Sequence, residues 1–150
     1  MNHGKYSLRM ASKWGAILVA ALLGSGSAAA DGSPEGIWRL NSGKVTVRVN
    51  YCGGKNLCAT IVGLAQPLDR QGKPKVDHEN PNASLRTRRV IGLQVVSGMA
   101  PAGENRWKGR IYNADDGGTY RSEMRLSGNS MTIEGCWGPF CKKNRFNRIR

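Results

Sequence analysis

His78 stands between Asp77 and Glu79. Flanking carboxylates favour the charged imidazole and can tune a histidine for acid–base work. A Ser-His-Asp or Cys-His mechanism would have to run through His78, because the other histidine, His3, lies in a segment that reads as removable. His78 also sits in a proline-rich stretch with Pro74 and Pro81, so a solvated loop histidine is the better reading. Paired carboxylates could serve glycoside hydrolysis. Most of the acidic residues, such as Asp69, Asp115 and Asp116, lie in turn-like sequence. Glu123 and Glu134 fall on strand-like segments, on faces shared with Arg and Thr, and read as outward charge partners. Asp69, Asp77, Glu79 and Asn80 do not have the spacing of a calcium loop. No catalytic residue, metal site or cofactor follows, and the chain is read as a protein other than an enzyme.

Cysteine offers the other reactive side chain. Cys52, Cys58, Cys136 and Cys141 are an even set, which in an exported chain reads as disulfides. Three pairings are possible. The local one is expected, Cys52 with Cys58 and Cys136 with Cys141, because each pair brackets a short glycine-bearing turn. A four-cysteine zinc site fits less well, since the spacings are C-x5-C and C-x4-C. No C-x-x-C redox motif is present.

Export is read from the first 30 of the 150 residues. Lys5, Arg9 and Lys13 precede an apolar run at 14–23, and Ala28, Ala29 and Ala30 follow. That is the layout of a secretory signal peptide with an A-x-A cleavage site. There is no twin-arginine pair and no lipidation cysteine after the run, so a Sec-type route to the periplasm or the medium is expected. Ten apolar residues are too few to span a bilayer. The remainder, 31–150, is expected to form one domain. It keeps 20 Lys and Arg against ten Asp and Glu, a net charge of +10. An excess of that size favours anionic partners: lipopolysaccharide phosphates, anionic lipids or a small anion. Nucleic acid is excluded by the compartment and by the absence of a recognition motif.

The elements that must position these residues are strands. Residues 45–52 alternate, with Val45, Val47, Val49 and Tyr51 on one face and Thr46, Arg48 and Asn50 on the other. Further strands are expected at 36–40, 57–64, 90–96, 106–112, 119–126, 130–136 and 142–149. Within 90–96, Ile91, Leu93 and Val95 should face inward. Residues 66–89 carry no period. There Asn80 and Pro81 resemble a helix start, with Asn80 as cap, so one short helix is expected near 81–86. The fold class is all-β. About eight antiparallel strands would leave open edges unless the sheet closed. An up-and-down barrel solves this and can hold one small ligand; a two-sheet sandwich is the alternative.

Several groups in order resemble the bacterial "domain of unknown function 2147" family. They include Glu35-Gly36-Ile37-Trp38, Cys52-Gly53-Gly54, Asp77 with Asn80-Pro81, Gly109-Arg110-Ile111-Tyr112, Gly118-Thr119-Tyr120, and Gly135-Cys136 with Gly138-Pro139-Phe140-Cys141. The resemblance spans nearly all of 31–150. It implies an exported, small lipocalin-like barrel and brings no reaction with it. Gly36-x-Trp38 also resembles the opening of lipocalins, in which the Trp packs at the closed end beneath an Arg of the last strand. Arg145 or Arg148 could supply that cation. The function expected is binding of a small molecule, partly apolar or anionic, by Trp38, Tyr51, Trp107 and Tyr120, with Arg145 closing one end. The alternative is a cationic protein that interacts with the cell envelope and holds no internal ligand.

Overall fold

Strands that are dry on one face must bury that face against something, and here they bury it against one another. The computed structural model describes residues 32–150. The expected leader at 1–30 lies outside the described residues. Eight antiparallel strands run in chain order: β1 (Gly36–Leu40), β2 (Val45–Tyr51), β3 (Leu57–Leu64), β4 (Gln94–Pro101), β5 (Arg106–Asn113), β6 (Gly118–Ser127), β7 (Ser130–Trp137) and β8 (Phe140–Arg148). Each pairs with the next, and β8 returns to β1, so the barrel is closed. The closing seam is short, with Trp38 opposite Arg148 and Leu40 opposite Phe146. Closure leaves no unpaired strand edge, which a flat sheet of these strands would expose.

The alternation read in β2 holds, with Val47 and Val49 buried. Tyr51 shares their face but occupies the last strand position and is 40% exposed. The fourth strand differs from the expectation of 90–96, since it begins at Gln94 and runs to Pro101. Residues 90–93 form a turn instead, in which the Leu93 amide donates to the Val90 carbonyl. Ile91 therefore points out and is exposed, while Val90, Leu93 and Val95 are buried. Leu93 and Val95 keep the inward facing expected of them, and the turn takes only Ile91 off that face.

The helix expected near 81–86 is a single 3-10 turn, Ala83–Leu85. Its cap is Asn82, whose side chain accepts from the Ser84 amide, and not Asn80. The Asn80 side chain instead donates to the Asp77 carboxylate. Both local disulfides form, Cys52–Cys58 and Cys136–Cys141. The first staples the β2–β3 turn and the second the β7–β8 hairpin.

Candidate functional site

The barrel has a solid half and a hollow half. At the end where β1 starts, Trp38, Leu57, Met99, Met124 and Met131 fill the interior and have no solvent exposure. Trp107 and Leu126 complete this floor. Beneath it the chain just before β1 crosses the barrel: the Trp38 indole donates to the Pro34 carbonyl at 2.9 Å. Arg148 lies over the Trp38 ring, 4.2 Å from its centroid, and donates to the Glu35 carbonyl at 2.6 Å. The Gly-x-Trp motif has its reason here. Gly36 has φ +145°, and a Cβ on it would stand 2.6 Å from the Arg148 guanidinium. Only glycine lets the cation cross to the tryptophan.

The other end is open. It is formed by the β1–β2, β5–β6 and β7–β8 turns and by the long connection 65–93. A cavity of about 1140 Å³ descends from it between the strands. Its walls are mostly apolar, with Val47, Ala59, Ile61, Val96, Ile133 and Phe146, and Asn144 stands among them. Polar groups gather at the mouth, where Lys44, Lys75 and Lys142 line the cavity together with Asp115 and Asp116. Asp116 is engaged locally, accepting from Asn113, from the Gly118 amide and from the Tyr120 hydroxyl. That last contact raises the Tyr120 pKa, chiefly through the hydrogen bond to Asp116. The three lysines make no ion pair among the described residues.

Only one of the five expected ligand-binding residues lines this cavity. Tyr120 does. Trp38 and Trp107 are buried in the floor below it. Tyr51 lies at the rim of the closed end, away from the cavity and partly exposed, its amide donating to Glu35. Arg145 faces solvent, because Phe146 points in and neighbours on a strand alternate. The cation at the closed end is therefore Arg148, which shares the inward parity of Phe146. That parity was readable once Phe146 was recognised as the apolar anchor of the last strand.

Sequence reasoning missed the device that holds the long connection across the mouth. Asp77 has no solvent exposure. Its carboxylate accepts from the Tyr112 hydroxyl at 2.6 Å, from Asn80 Nδ2 at 2.8 Å and from Arg88 Nε at 2.8 Å. The Arg88 guanidinium also lies 5.6 Å from the centroid of the Tyr112 ring. Burial alone would raise the Asp77 pKa, but these donors and the Arg88 charge outweigh it and the net shift is downward. Burial and the carboxylate push the Tyr112 hydroxyl upward. A second contact fixes the same connection: a Cβ on Gly117 would come within 1.9 Å of the Glu79 carbonyl oxygen, so the β5–β6 turn and the connection touch backbone to backbone.

The remaining chemistry-bearing groups are dispersed. The His78 side chain is 82% exposed and, among the described residues, pairs with Glu79 alone of the charged groups. Glu123 is surrounded by Arg106, Lys108 and Arg125 on the outer face, and Glu134 by Lys143. Glu134 also lies near Cys136 and Cys141, but those sulfurs are bonded to each other and offer no thiolate to a metal.

Residues 36–148 match the family described as an uncharacterized protein conserved in bacteria, DUF2147. The chain belongs to that family. Among solved structures it is similar to one titled "Protein HP1028 from the human pathogen Helicobacter pylori belongs to the lipocalin family". The two share 25% identity with a TM-score of 0.65, over 79% of this chain and 84% of the other. No curated protein matches the chain. In this DUF2147 chain the groups that carried the resemblance now have structural work. Gly36 and Trp38 build the floor, while Asp77, Asn80 and Tyr112 clamp the connection at the mouth.

Proposed function

We propose that this chain, in an exported form, binds a small and largely apolar molecule that carries an anionic group. The observation that carries the reading is the cavity of about 1140 Å³, apolar over the larger part of its lining, with Lys44, Lys75 and Lys142 at its mouth. Ligand sites are concave, mostly apolar and furnished with a few polar groups that set orientation. An anion at the mouth would meet ammonium groups that have no internal partner, while its apolar part would replace water along Val and Ile side chains. The solid floor means that a ligand enters and leaves at one end. The lipocalin assignment of the HP1028 neighbour agrees with a binding role. The two disulfides suit an oxidising compartment. No helix among the described residues is long and apolar enough to cross a membrane.

The test is a native mass of the protein recovered from a periplasmic extract of cells expressing the full chain, without reductant. Cleavage after Ala30 and loss of four thiol hydrogens are expected in the polypeptide mass. Additional mass that departs on denaturation would be the captured ligand. Gly135 provides the control. It lines the cavity, and a Cβ there meets only Ile111 and Tyr120, at 3.6 and 3.9 Å. Gly135→Phe should therefore project a ring into the cavity and obstruct it with little backbone strain. It is expected to keep the thermal midpoint within a few degrees while weakening binding of an anionic naphthalene dye at least tenfold. Unchanged dye binding in that variant, with no captured mass in the parent, would overturn the reading.

A further inference from the structure

The tip of the β7–β8 hairpin carries two large apolar side chains in water. Trp137 is 74% exposed and Phe140 71%. They are the last cross-strand pair before the turn, with ring centroids 6.4 Å apart. Directly behind them the Cys136–Cys141 disulfide ties the two strands together. The turn itself is Gly138-Pro139, with Gly138 at φ +55°. Such a hairpin has little freedom to fold its rings back onto the protein. Both residues line the cavity mouth, as does Val76, which is 39% exposed. The same rim holds Lys44, Lys75 and Lys142.

From this arrangement we propose that the open end of the barrel docks on an anionic lipid bilayer, with Trp137 and Phe140 inserted at the headgroup level. Tryptophan favours that depth because its ring is amphipathic. The unpaired rim lysines would face lipid phosphates, and each such cation adds attraction that salt screens. A protein partner suits the tip less well. Two aromatic side chains bury about 300–500 Å², while a stable interface needs about 800 Å² from each partner. The flanking lysines would also oppose one another across a two-fold contact between copies. The docking requires no captured ligand, but it draws on the same three lysines that would meet a ligand's anionic group. It would also place the cavity mouth against the membrane.

The experiment uses the chain from residue 31 onward. All eight strands and the closing seam lie within it, and the apolar run at 14–23 would itself enter lipid. Binding is measured by sedimentation with vesicles of phosphatidylcholine alone and of phosphatidylcholine with 30% phosphatidylglycerol, at low and high salt. We expect binding to the anionic vesicles that falls steeply with salt, and at least a tenfold loss in a Trp137→Ser, Phe140→Ser double variant. Trp38 and Trp107 are buried, so brominated lipids should quench the Trp137 emission alone, and a Trp137→Phe variant should lose that quenching. Three results would overturn the proposal. The first is equal binding by the double variant. The second is absence of quenching in the bound state. The third is a concentration-dependent dimer, seen by sedimentation velocity, that buries Trp137 and disappears in the double variant.

Discussion

Replacing Trp38 by alanine should lower folding stability by about 4 kcal/mol and the thermal midpoint by roughly 10–20 °C. The side chain is fully buried, so its loss removes a large apolar area and leaves a void that the neighbouring methionines refill only in part. Its place magnifies the effect. Trp38 lies opposite Arg148 on the short seam that closes the barrel. The ring also carries the Arg148 guanidinium and ties down the chain at Pro34. Hydrogen exchange should accordingly rise first in β1 and β8, ahead of the β5–β6 ladder. Arg148→Met is expected to cost less, about 1–2 kcal/mol, because it removes the donors to the Glu35 and Ser33 carbonyls but keeps the packing. A loss below 1 kcal/mol in Trp38→Ala, with unchanged exchange in β1 and β8, would show that the seam does not depend on this residue.

Asp77→Asn should be nearly as damaging as Asp77→Ala, at about 3 kcal/mol, although it changes only one atom type. The Asp77 carboxylate accepts from three side chains. An amide presents a donor where one oxygen stood: at the Oδ2 position it would face the donors of both Asn80 and Arg88, and at the Oδ1 position the Tyr112 hydroxyl. The cost sits at the low end for a broken buried pair, because Arg88 is 38% exposed and can turn to water. The damage should be local as well as global. Trypsin should cleave at Arg86, Arg88 and Arg89 at least ten times faster in the variant, since these residues lie in the connection that the clamp holds.

The same cluster predicts a pH response. The Asp77 pKa is lower in the folded protein than its ordinary value. Its stabilisation is therefore complete above about pH 4 and is lost as pH falls through the folded value. The thermal midpoint of the parent protein should drop across that acidic range, and the difference between parent and Asp77→Asn should shrink there. A constant difference down to pH 2 would mean that the carboxylate charge does not hold the clamp.

Local chemistry determined much of this protein. A period of two in Val45, Val47 and Val49, and in Met131 and Ile133, is a property of neighbouring residues. It assigned strands and buried faces without any knowledge of the fold. The cysteine pairs were legible because each spans a tight turn, so the two sulfurs stay close whatever the rest of the chain does. The closed end came from resemblance instead: Gly36-x-Trp38 is similar to the lipocalin opening, which implied an arginine of the last strand, and only the facing of Phe146 was needed to choose Arg148 over Arg145.

Tertiary structure decided the rest. Asp77 and Tyr112 are 35 positions apart, and no periodicity relates a residue of an irregular connection to one on a strand. Trp38, Trp107 and Tyr120 share an inward parity, but parity says nothing of depth along the barrel. The first two became floor and only Tyr120 became cavity wall. Whether the interior is filled or hollow depends on how side chains from eight strands meet at each level. That is a sum over contacts between residues far apart in the chain, and it exists only once the barrel has closed.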